Sequence, residues 1–144
     1  MLLDKTAEET QILGAIPYQE NTIFLHHDIN LMPKRKLAWA AWNYHVTNPA
    51  SNKVAVTYNM NILQQLPANA PTFCVTLNQS ELIDEAKVIR RFNYAHPVFN
   101  EASLKAQGRR EEISGQNHTH FAGAYWHNGF HEDGVRSALD VCAH

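Results

Sequence analysis

The chain lacks most of the features that announce a function outright. It has only two cysteines, Cys74 and Cys142, in 144 residues. They form no Cys-x-x-Cys pair, so neither a disulfide framework nor a thiolate zinc site is indicated, and two buried thiols are the default. Neither sign of charge dominates: twelve basic against fourteen acidic residues leave a net charge of -2, without the cationic surplus of a nucleic-acid or anionic-membrane binder. No nucleic-acid partner is expected. No window approaches the roughly 20 apolar residues of a spanning helix. The start, Met1-Leu2-Leu3-Asp4, has no cationic stretch leading into an apolar run of signal length, and the reading is a cytoplasmic protein with no membrane span. Internal repeats, low-complexity tracts and linkers are absent. No grouping of serine, cysteine and histidine marks a covalent nucleophile and no spacing marks an acid–base pair, so no catalytic residue is named.

What is present is material for a core. Hydrophobic residues make up 44% of the chain, and a globular protein of this size buries roughly 68–70% of its unfolded surface. Thr6-Ala7-Glu8-Glu9 fits a capping box opening a short helix to about Gly14, with Pro17 ending the run. Residues 21–28 read as a strand. So do 37–46, with Trp39 on one face and Trp42 and Tyr44 on the other. Val54, Val56, Tyr58 and Met60 alternate with polar residues, as do Phe73, Val75 and Leu77, and residues 86–94 make a fourth candidate. Such closely spaced strands favour an antiparallel meander, because parallel crossovers need about a dozen residues each. Asn100 is placed to cap a helix toward Gly108, Ser114 to Asn117 reads as a turn, and His118–Ala122 reads as a short strand. Val135, Ala138, Leu139 and Cys142 recur at offsets of three and four, the expected core stripe of a C-terminal helix. The expected fold is α+β: an antiparallel sheet of about four to six strands with a few helices, forming one unit over 1–144.

The segment from His118 to Val135 is the densest in chemistry. It reads as strand, Gly-rich connection and helix start. Glycines at 123, 129 and 134 let a backbone approach a ligand, and the exposed amides of a helix start favour an electron-rich group. A tight turn whose glycines only satisfy backbone dihedrals fits the pattern equally well.

Phe121-Ala122-Gly123, the Gly129-Phe130 pair and the helix start from Glu132 to Val135 resemble the C-terminal flavin-binding motif of the FAD-dependent amine oxidase superfamily. The resemblance extends through Leu25-His26-His27-Asp28, Leu31-Met32-Pro33-Lys34-Arg35 and Trp39-Ala40-Ala41-Trp42-Asn43-Tyr44, most closely to a bacterial subgroup of predicted NAD/FAD-binding, amine-oxidase-like proteins. It implies part of a larger FAD-binding oxidoreductase fold, with a substrate-side sheet over about 17–98 and a flavin-facing segment over about 117–144. FAD is the implied cofactor. Its implied contacts are Gly123, Ala124, Gly129, Phe130, Asp133, Gly134 and Val135, with the amides of Gly134 and Val135 facing the ring. Tyr125, Trp126 and Phe130 are the implied substrate-side residues for a small-molecule substrate. Many relatives carry an acidic residue after Phe-Ala-Gly where this chain has Ala124, and many carry a lysine near the flavin that the strand at 21–28 lacks. No Gly-x-Gly-x-x-Gly occurs, so the resemblance implies a separate N-terminal dinucleotide-binding portion as partner and weak or no retention of FAD by this chain alone.

Two other readings compete. One is a non-catalytic binding module, with a homo-oligomer as its partner state. The other is a metalloprotein using His118, His120, His127 and His131 with Glu132 and Asp133, although no spacing such as His-Glu-x-x-His supports it and no metal is expected.

Overall fold

The computed structural model describes residues 3–46 and 55–143. The chain divides into two compact units, Met1–Gln19 with His96–His144, and Glu20–Ala95.

In the first unit, α1 (Ala7–Gly14) starts at the expected capping box. The Thr6 hydroxyl accepts from Glu9 N–H at 3.1 Å, and the Glu9 carboxylate accepts from Thr6 N–H at 2.8 Å. Both donors would otherwise be orphaned at the helix start. The second capped helix, α3 (Glu101–Gln107), is held the same way by Asn100 and Ser103. The core gathers Ile12, Ile16, Ala106, Ile113 and Trp126. The last helix, α4 (His131–Cys142), closes the unit.

The second unit is built on one open antiparallel sheet of five strands, which makes the fold α+β. Its strands are β1 (Tyr18–His26), β2 (Trp42–Tyr44), β3 (Val56–Asn59), β4 (Cys74–Leu77) and β5 (Val88–Pro97), with the short α2 (Met60–Leu63) after β3. The order is β2-β3-β4-β1-β5. Only β2, β3 and β4 follow the expected meander; β1 inserts between β4 and β5.

Several expected boundaries move, each for a local reason. The strand expected over 37–46 shrinks to three residues, because Lys36–Ala38 forms a one-turn 3₁₀ segment and the Trp39 indole N–H donates to Pro33 O at 2.8 Å. Met60 starts a helix instead of ending a strand, since the Asn59 side chain caps Asn61 N–H and Ile62 N–H. Val54 lies outside the described residues. No strand forms over His118–Ala122: Gly115, Asn117 and His118 adopt positive φ of 78°, 50° and 57°, which breaks extension ahead of it and at its first residue. Cys142 is exposed, whereas Cys74 is buried and its thiol is pushed up to about 11, mainly by burial.

The cross-strand register exposes a larger inversion. Asn43, Thr57, Thr76 and Phe24 lie opposite one another on one face, joined there by Asn59, Cys74 and His26. This mostly polar face is the buried one: Thr57, Thr76, Cys74 and His26 are all at most 1% exposed. Phe24 packs there with Leu31 and Ile83. The polar side chains are compatible with burial because they bond to one another, His26 Nε2 to Thr76 Oγ1 at 2.8 Å and Thr76 Oγ1 to Thr57 Oγ1 at 2.8 Å. The opposite, apolar face is only partly covered. Leu25, Phe73 and Val75 line an open groove there of about 420 Å³ with Met60, Leu66 and Phe92.

Candidate functional site

The segment from Phe121 to Val135 is pinned from three sides. The Trp126 indole N–H donates to Phe121 O at 2.9 Å. Gln107 Nε2 donates to Tyr125 O at 2.9 Å and to His127 O at 2.7 Å. Gly123 N–H donates to Ser137 Oγ at 2.6 Å, tying the connection to α4. Ala124 O accepts from both His127 N–H and Gly129 N–H at 3.1 Å. The result is a tight, internally bonded turn leading into a helix.

Two glycines are required by this geometry. Gly129 adopts φ +90°, a conformation that L side chains rarely adopt, and a Cβ there would sit 3.1 Å from the Phe99 ring. At Gly123 a Cβ would lie 2.2 Å from Tyr125 Cε1. Gly123→Ala is therefore expected to displace the Tyr125 ring and cost about 2 kcal/mol by overpacking. The check is a denaturant melt with near-ultraviolet circular dichroism; unchanged stability and aromatic signal would refute the close contact.

At the start of α4, Phe130 supplies no side-chain acceptor. Phe130 N–H donates to Asp133 Oδ2 at 2.9 Å, and Gly134 N–H donates to Phe130 O at 3.2 Å. The Gly134 amide is thus occupied, and that of Val135 sits inside the helical ladder. The amides at this helix start with no intrahelical acceptor are one turn earlier, at His131, Glu132 and Asp133. Phe130 beside them is 57% exposed. Backbone donors thus stand next to an exposed aromatic ring, with the Asp133 carboxylate held at the same helix end.

The other expected site residues separate. Trp126 is 4% exposed and belongs to the core with Ile12 and Ile113, which removes it from any substrate surface. Tyr125 lines a cavity of about 560 Å³ with Leu13, Ile16 and Tyr18. Burial pushes its phenol pKa above the ordinary value. The expected core stripe on α4 also faces outward: Val135 is 55% and Leu139 64% exposed, and the helix packs instead through Ser137, which is fully buried. A Cβ on Gly134 would meet Ala124 N at 3.8 Å, an ordinary van der Waals contact, so this face of the helix lies beside the turn without needing a glycine.

Arg110 completes the arrangement. Its guanidinium donates to Ser137 O at 2.7 Å and to Asp140 Oδ2 at 3.0 Å, and lies 5.6 Å from the centre of the Trp126 ring. Nothing in the local sequence singles out this arginine; the partners lie 27 and 30 residues away.

No protein-family model and no curated protein matches this chain. Among the described residues no three histidine, cysteine or carboxylate side chains come together to hold a metal ion. His120 Nδ1 is bonded to Ser114 Oγ, and His127 Nε2 is 3.6 Å from Asp140 Oδ2, beyond hydrogen-bond reach. No helix among the described residues is long and apolar enough to cross a membrane.

Proposed function

We propose that this chain is the C-terminal portion of an FAD-dependent, amine-oxidase-like oxidoreductase that acts with an N-terminal dinucleotide-binding portion. The observation that carries the reading is the start of α4, where His131, Glu132 and Asp133 offer main-chain donors and no side chain of the preceding residue caps them. A bound flavin would supply two-electron oxidation of a substrate C–H bond. The residues of this chain hold and orient. The α4 amides at His131, Glu132 and Asp133 would hold the group, and the positive end of the helix dipole would favour electron density beside them, by about 0.3–2 kcal/mol. The Phe130 ring shapes the substrate side, and the pinned turn at 123–129 keeps both in register.

The test is to express the whole reading frame that encodes this chain and record its visible absorption. A yellow protein is expected, with the flavin band perturbed by Phe130→Ala. A colourless, FAD-free product would end the proposal.

A non-catalytic reading, in which the chain is an oligomerisation module, draws on one observation: the exposed apolar stripe of Val135 and Leu139 on α4. It requires a second copy on that stripe, so sedimentation showing only a compact monomer counts against it.

A further inference from the structure

A second concavity lies in the 30–45 region, on none of the residues assigned as flavin or substrate contacts. It has a volume of about 380 Å³ and is lined in part by Leu31, Met32, Pro33, Lys34, Tyr44 and His45. That is within the range of small-molecule sites. Its walls are fixed. Trp39 anchors Pro33 through the indole N–H, and Asp28 caps the Ile29–Leu31 turn by accepting from Asn30 N–H at 3.1 Å. Among the described residues the lining holds Lys34 and His45 and no carboxylate. Lys34 makes no ion pair among the described residues, whereas its neighbour Lys36 lies over the Trp39 ring at 5.8 Å.

Behind His45 stands Gln79, only 2% exposed. Its Nε2 donates to His45 Nδ1 at 3.2 Å, while its Oε1 is buried with no hydrogen-bond partner among the described residues. An amide kept in the interior with an unpaired oxygen calls for an explanation. With the Gln79 amide nitrogen as donor, Nδ1 is the acceptor, and in a neutral ring the proton then sits on Nε2. The cavity therefore combines an exposed ammonium, an imidazole held by Gln79 and an apolar wall.

We propose that this cavity binds a small organic anion, a phosphate or carboxylate on a flat or apolar body. Lys34 Nζ and His45 Nε2–H take the charged head, and Leu31, Met32, Pro33 and the Tyr44 ring take the body. Gln79 is a positioning residue for His45.

The proposal is independent of flavin binding and is tested on the chain as it stands. AMP, adenosine and benzoate are titrated separately while the amide resonances of residues 31–34 and 44–45 are followed by NMR. Saturable shifts are expected with AMP or with benzoate, which separates phosphate from carboxylate. Adenosine, with no charge, should bind at least tenfold more weakly than AMP. Lys34→Met and His45→Phe should each weaken binding of the preferred anion about tenfold or more, since each removes a charge-assisted or oriented donor. Lys34→Arg should retain most of it. Both truncated positions are exposed, and far-ultraviolet circular dichroism confirms that the variants fold. The proposal is overturned if neither anion shifts these resonances, if adenosine matches AMP where AMP is the ligand, or if Lys34→Met and His45→Phe bind as the unmodified chain does.

Discussion

Arg110→Ala is expected to destabilise the first unit by about 3 kcal/mol and to loosen α4. Three losses add up. Ser137 O, on a fully buried residue, loses the donor at 2.7 Å, and a buried acceptor left unpaired costs about 1–3 kcal/mol. The Trp126 ring loses the guanidinium stacked over it, roughly 0.5–2 kcal/mol. The ion pair with Asp140 adds little, because that carboxylate is 43% exposed and solvent screens it. Arg110→Lys should recover less than half, since an ammonium cannot reach Ser137 O and Asp140 through one planar fork. Denaturant unfolding measures the loss, and amide exchange along 131–142 localises it. A change below about 0.5 kcal/mol, the level of an ordinary surface substitution, would show that α4 is held otherwise.

Asp28→Ala should cost about as much in the second unit, and its effect should depend on pH. The carboxylate is fully buried and accepts from Asp84 N–H at 2.9 Å, from Asn30 N–H at 3.1 Å and from Lys87 Nζ at 3.2 Å. Removing it strands two backbone donors, roughly 1–3 kcal/mol each where burial is complete, for a total of about 3 kcal/mol. Burial by itself would raise the Asp28 pKa. The two amides and the Lys87 ammonium outweigh it and hold the carboxyl below its ordinary value. A depressed carboxyl stabilises the fold above about pH 4 and loses that contribution as pH falls through its folded value. His26 acts in the same direction at higher pH. Burial lowers its pKa, only partly opposed by Asp28, so the folded state resists its protonation. Its contribution is complete above about pH 6.5 and is lost below it, at no more than about 1.4 kcal/mol per pH unit. Stability should therefore decline in two stages on acidification. Melts between pH 7 and 3 should show His26→Gln flattening the upper stage and Asp28→Ala the lower. Parallel curves for all three proteins would refute this assignment.

Local chemistry made part of the structure legible. The Thr6–Glu9 box and the Asn100 cap act over three residues, and both helices start where those residues stand. The alternation in β3 and β4 identified strands correctly but not which face they bury. Val56, Tyr58, Val75 and Leu77 look like a core row, yet Thr57, Asn59, Cys74 and Thr76 are the more deeply buried set overall. Period two fixes that side chains alternate; the direction of the core depends on which loops fold over which face. Here segments carrying Leu31 and Ile83 cover Phe24's side. The same limit applies to α4, whose apolar stripe is outward while Ser137 faces inward, bonded to Gly123 N–H and Arg110.

Contacts within a few residues, then, were set by the amino-acid order alone: caps, turns, the α+β alternation, and the glycine-bearing turn before α4. Tertiary packing decided the rest, because Gln79 meets His45, and Arg110 meets Ser137, across separations of 34 and 27 residues. Hydrogen bonds of that kind depend on the path of the whole backbone, and no local periodicity encodes which polar side chain will be buried against which.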